Sequence, residues 1–105
     1  MATDKVIATN ARALRAKYGA DGFAKIVAAL DAMVAADARR GLSTRVIPID
    51  SSADMARYGA PVGSASNARA AKAAIDAIHA REQPDYIVIL GASDVVPLVP
   101  LKIVP

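Results

Sequence analysis

The chain has 105 residues, 54% of them hydrophobic, which fits at most one domain and excludes a disordered polymer. Its net charge of +3 comes from 13 basic and 10 acidic residues scattered along the chain, with only four aromatics, Tyr18, Phe23, Tyr58 and Tyr86. This is not the concentrated, aromatic-interleaved basic surface of a nucleic-acid binder, and the absence of cysteine rules out disulfides, thiolate metal sites and a cysteine nucleophile within these residues.

Taken in chain order, the first element is "KVIAT", residues 5–9, a short run rich in β-branched residues that predicts a strand. Asn10 follows as a helix cap or turn residue. "ARALRAKYG" has helical composition and stops at Gly19, a C-terminal glycine. Asp21 reads as the next N-cap. From there Phe23, Ile26, Val27, Leu30 and Val34 recur at helical spacing, with Lys25, Asp31 and Asp37 mainly off the stripe. Arg39 and Arg40 suit the negative end of that helix, and Gly41 closes it.

"STRVIPI", residues 43–49, predicts a second strand ending at Asp50. Pro48 places it at an edge, because proline cannot donate to a ladder. "SSADMARYG" reads as a short helical turn ending at Gly59, and "APVGSAS" as a loop. A long helix over residues 66–82 follows, with Ala68, Ala71, Ile75 and Ile78 on one narrow face of mostly small residues. Pro84 ends it. "DYIVIL" is the third strand, and its unbroken apolarity predicts a central position covered on both faces. Tyr86 is expected to pack its ring under a helix and keep its hydroxyl wet.

The order strand, helix, strand, helix, strand implies parallel pairing and right-handed crossovers. The expected fold class is α/β, a three-layer parallel sheet with helices on both faces. Residues 1–105 form a single domain or part of one, with a proline-rich apolar tail at residues 95–105. The N-terminus lacks the basic start and long apolar core of a signal peptide. No apolar stretch approaches the roughly 18 residues that span a bilayer. A cytoplasmic protein without membrane or nucleic-acid partners is the expectation.

Ligands of open parallel sheets bind beyond the carboxyl ends of the strands. Those ends carry Asn10, Asp50, Ser93 and Asp94, whose oxygens could hold a small polar ligand or a hard cation. The same residues suit capping: Asn10 and Asp94 of turns and helices, Asp50 of the turn that follows it. No metal site, cofactor or catalytic residue is assigned. His79, the only histidine, has no nucleophile or second base nearby in the sequence and reads as structural. "PVGSASNAR" could cradle an anion on backbone amides, but it lacks both glycine-rich nucleotide motifs, and Ser64 or Ser66 is expected to cap the next helix.

Taken together, "KVIATN", "RGLSTRVIPID", "AKAAIDAIHAREQ" and "PDYIVILGASDVVPL" resemble the first half of a caspase-like cysteine peptidase domain of the gingipain type. The third-strand motif carries most of the likeness, through Pro84, Tyr86, Ile87, Val88, Ile89, Leu90, Gly91, Val96 and Pro97. Where that family often has aspartate directly after the glycine, this chain has Ala92, with Asp94 two residues on. The resemblance implies a fold whose catalytic histidine and cysteine would come from sequence after these strands. It implies no activity for these residues alone. Two other expectations stand beside it: a stand-alone interaction or self-assembly module, and a small-ligand or metal-binding domain. A three-stranded sheet with an uncovered edge also predicts a homo-oligomer, or a second polypeptide that covers the edge strand.

Overall fold

The structure, a computed structural model, describes residues 3–64, 66–91 and 95. It is an α/β fold with a three-stranded parallel sheet. The elements are β1 (Lys5–Thr9), α1 (Ala11–Arg39), β2 (Thr44–Pro48), α2 (Ser52–Met55), α3 (Ala68–Glu82) and β3 (Tyr86–Ile89), and the strand order is β2-β1-β3. Ile7 faces Val46 on one side and Val88 on the other.

The central strand is therefore β1, and the expectation that β3 lies at the centre is corrected. Val6, Ile7 and Ala8 are fully buried, whereas β3 alternates: Ile87 and Ile89 are half-buried, and Tyr86 and Val88 are 63% and 42% exposed. Unbroken apolarity signals burial on both faces only where both faces are covered. Among the described residues β3 has one strand neighbour, and the 63% exposed Tyr86 ring is not packed under a helix.

The alternation of β1 divides its contacts. Val6 and Ala8 join a core with Ile47, Ile49, Met55, Val62, Ala71, Ala74 and Ile78. Lys5, of opposite parity, reaches Asp37 near the end of α1. On α3 the buried residues are Ala71, Ala74 and Ile78, with Ile75 half-buried, so the stripe is turned by about one position from the expected one. Small residues there let the helix lie close to the strands.

The helix between β1 and β2 breaks where its composition predicts. Gly19 takes φ 75° and ψ 173°, outside helical space, and the chain resumes the helix directly afterwards. Its far end closes in a Schellman arrangement: Gly41, at φ 81°, donates to the Ala38 carbonyl, and Leu42 donates to that of Asp37.

Asp37 was placed off the apolar stripe by the helical pattern, yet it is 1% exposed. It accepts from the Thr44 hydroxyl at 2.8 Å, from the Arg40 guanidinium and from Lys5 Nζ at 3.4 Å. The Thr44 and Arg40 bonds hold its carboxyl below the usual range, against the opposing effect of burial. One side chain thus ties the end of α1 to the starts of both adjacent strands. A second polar set joins β2, the turn after α2 and the end of α3. Tyr58 donates to Glu82 Oε1 at 2.6 Å, and Arg45 donates to the same oxygen at 2.8 Å and to the Tyr58 hydroxyl at 3.2 Å. The Tyr58 bond lowers the Glu82 carboxyl, and burial followed by Glu82 raises the phenol.

The two flanks of the sheet differ. In β2 the Ile49 amide donates inward to Thr9, so the alternate residues Thr44, Val46 and Pro48 turn their backbone outward. Pro48 has no N–H to offer there, and its carbonyl already accepts from Ser51. The expected edge position of this strand is what the structure has. In β3 the Tyr86 and Leu90 amides donate inward to Asp4 and Ala8, so the backbone of Ile87 and Ile89 faces the side that has no strand neighbour among the described residues, with no proline between them.

Candidate functional site

The strand order reverses direction about β1, with β2 on one side and β3 on the other. In open α/β sheets the ligand crevice lies at such a reversal, outside the carboxyl ends of the strands. The Thr9 hydroxyl donates to the Leu90 carbonyl at 2.9 Å and closes the gap between β1 and β3. Gly91 follows with φ 111°, and a Cβ there would sit 2.7 Å from that of Val95, which is 1% exposed. The position requires glycine on two counts, conformation and space. Ser93 and Asp94 lie outside the described residues.

Asn10 and Asp50 come together from separate elements, at the amino end of α1. The Ala11 amide donates to Asp50 Oδ1 at 2.7 Å and the Arg12 amide to Oδ2 at 3.1 Å. The Ala13 amide donates to Asn10 Oδ1 at 3.0 Å, and the Leu14 amide to the Asn10 carbonyl at 3.0 Å. The Ala11, Arg12 and Ala13 amides are ones a helix leaves without partners in its first turn, and these three are satisfied by side chains of the chain itself, while the Leu14 bond is the first of the helix proper. Asp50 does not cap the turn that follows it, as the sequence alone suggests. Ser51 does that, accepting from the Asp54 amide at 3.3 Å.

The carboxylate of Asp50 therefore occupies the place where a helix amino terminus would receive a ligand's anionic group. The Arg12 guanidinium stands 4.0 Å from it, with an 82% exposed side chain, and adds little. Beside this pair is a cleft of about 400 Å³ lined by Arg12, Asp50, Ser51, Ser52, Val62 and Gly63. The serine-rich loop next to it does not cap α3 through Ser64 or Ser66. Those hydroxyls bond one another at 2.8 Å, and Asn67 caps the helix by accepting from the Ala70 amide at 3.0 Å.

Asp50→Ala should lower stability by about 1–2 kcal/mol, the cost of losing a helix cap and leaving amides unpaired. Asp50→Asn should recover part of that, since its amide oxygen still accepts one bond. Urea titrations of the three proteins check this, and equal midpoints would deny Asp50 its capping role.

His79 is exposed on α3. Among the described residues no group of three His, Cys, Asp or Glu side chains is placed to hold a metal ion, and no helix is long and apolar enough to cross a membrane. Asp37 and the Arg45–Tyr58–Glu82 set escaped sequence reasoning. Their partners are distant in the chain, and neither forms a recognisable spacing. Both sets join elements and leave the crevice untouched. Compared with known proteins, the chain matches no family model, no curated protein and no solved structure.

Proposed function

We propose that this chain is the amino-terminal part of a three-layer, caspase-like cysteine peptidase domain of the gingipain type, inactive by itself, whose sheet is continued along β3 by further polypeptide. The open flank of β3 carries this reading. Ile87 and Ile89 face it without a strand neighbour among the described residues, and Tyr86 and Val88 are exposed beside it. An apolar edge of that kind is a template for another strand. The resemblance of "PDYIVILGASDVVPL" supports the choice of family, and the lack of cysteine supports inactivity of these residues alone.

The same edge favours a second reading, a self-assembling module without chemistry. Small-ligand or cation binding at the strand ends is the weakest reading, because Asn10 and Asp50 are already engaged by α1.

The experiment has two parts. The coding sequence downstream of Pro105 is read for a histidine and then a cysteine, each after an apolar strand. The chain and any extended form are then assayed on fluorogenic peptides with Arg, Lys or Asp before the scissile bond. The expected result is turnover only in the extended form, abolished by replacing its cysteine. Turnover by the 105-residue chain, or a downstream frame without that pair, would overturn the peptidase reading. Static light scattering over a concentration series then tests self-assembly, which predicts a mass above about 11 kDa that rises with concentration.

A further inference from the structure

A cleft of about 310 Å³ lies between β2 and the turn after α2, with Arg45, Val46, Asp54, Arg57 and Tyr58 in its lining. Arg45 is held there by one edge only. Its Nη1 donates both to Glu82 and to the Tyr58 hydroxyl, and Tyr58 in turn donates to Glu82. Those two bonds use both hydrogens of that nitrogen. Nε and Nη2 have no hydrogen-bond partner among the described residues. Together they form the edge of a guanidinium that presents parallel donors to a carboxylate or phosphate. Tyr58 and Glu82 are thus positioning residues that fix Arg45 with this edge unused.

Arg57 is exposed and makes no hydrogen bond or ion pair among the described residues. Its charge acts through space, together with those of Arg45 and Arg81, to keep Glu82 ionised. Glu82 is therefore the one carboxylate that answers these guanidiniums, and the cleft side of Arg45 and Arg57 is left without an anion. Asp54 limits what can supply one. Its side chain also lines the cleft and has no partner among the described residues, where only its amide is bonded, to Ser51. A dianion between the two arginines would face this carboxylate. A single carboxylate joined to an ammonium answers both signs. We propose that the cleft binds a small zwitterion of this kind, an amino acid in the broad sense. Its carboxylate lies between the unused edge of Arg45 and the Arg57 guanidinium, and its ammonium lies against Asp54. The volume suits a small molecule, at the lower end of ligand pockets, which begin at about 300 Å³. The inference is independent of the peptidase reading.

Titration of the ¹⁵N-labelled chain at constant ionic strength tests it, followed through the arginine Nε–H signals and the backbone amides. The probes are β-alanine and γ-aminobutyrate, with propionate and inorganic phosphate as comparators. The expected result is saturable shifts at Arg45 and Arg57, with the amino acids binding more tightly than propionate. Arg57→Gln should weaken binding roughly tenfold, the share of one hydrogen bond between charged groups. Its urea midpoint should match the parent's, because Arg57 is exposed and bonds to no other described residue. Asp54→Asn should remove the preference for the amino acids over propionate. Shifts that stay linear and spread over all exposed arginines would mean ionic association and overturn the proposal. So would tighter binding of phosphate, parental affinity in Arg57→Gln, or a preference for the amino acids that survives in Asp54→Asn.

Discussion

Ile7→Asp is expected to abolish cooperative folding, while Val88→Asp should leave a folded protein within about 1 kcal/mol of the parent. Ile7 is 1% exposed and sits between two strands, so its substitute would be a charge in the middle of the sheet without a counter-ion. Such a burial costs several kcal/mol, against a total stability of about 5–15 kcal/mol for a domain. Val88 is 42% exposed, and its replacement meets water. Far-UV circular dichroism with thermal melts separates the two. A cooperative melt for Ile7→Asp together with an unfolded Val88→Asp would reverse the strand order.

Asp37→Asn should produce a loss of stability at neutral pH larger than that of Asp50→Ala, and the deficit should shrink in acid. The neutral amide leaves Lys5 and Arg40 facing a group that no longer balances their charge, and it can accept at only one of two oxygens. The sign follows from the direction of the shift. The folded carboxyl titrates below its ordinary value, so its stabilisation is fully present above the unfolded value, near about 3.9. It is lost as pH falls through the lower, folded value. Urea midpoints followed from pH 7 into acid should therefore stay apart down to about 3.9 and draw together only as pH falls further, towards the folded value. Glu82, lowered chiefly by the Tyr58 hydroxyl, contributes in the same direction, so Glu82→Gln serves as the parallel series. A deficit that stayed constant with pH would show that Asp37 stabilises by shape alone.

Local features were legible where the cause is local. The three strands fall where β-branched runs place them, Gly19 and Gly41 punctuate the helical segments, and Pro48 marks an edge. Which strand is central was not legible. The apolar run of β3 is longer than that of β1, but centrality depends on the direction in which each crossover leaves the sheet, and no residue spells that direction. The site was half legible. Asn10 was legible as a helix cap and is one, whereas Asp50, read as capping the turn after it, serves a helix start that only the tertiary fold brings beside it. Asp37 was hidden for the opposite reason: on a helical wheel a buried, partnered carboxylate looks the same as a solvated one.

The unlike flanks of the sheet bear on how copies could meet. Head-to-tail stacking would join the outer flank of β2 in one molecule to that of β3 in the next and repeat without limit. Pro48 interrupts that contact from the β2 side, where only Thr44 and Val46 remain to pair. Pairing of two β3 flanks about a two-fold axis uses up the open side of both molecules and presents β2 at each end. If copies did associate through the flanks of the described strands, pairing at β3 would close at two copies, and the missing N–H of Pro48 is the feature that would weigh against an endless head-to-tail stack.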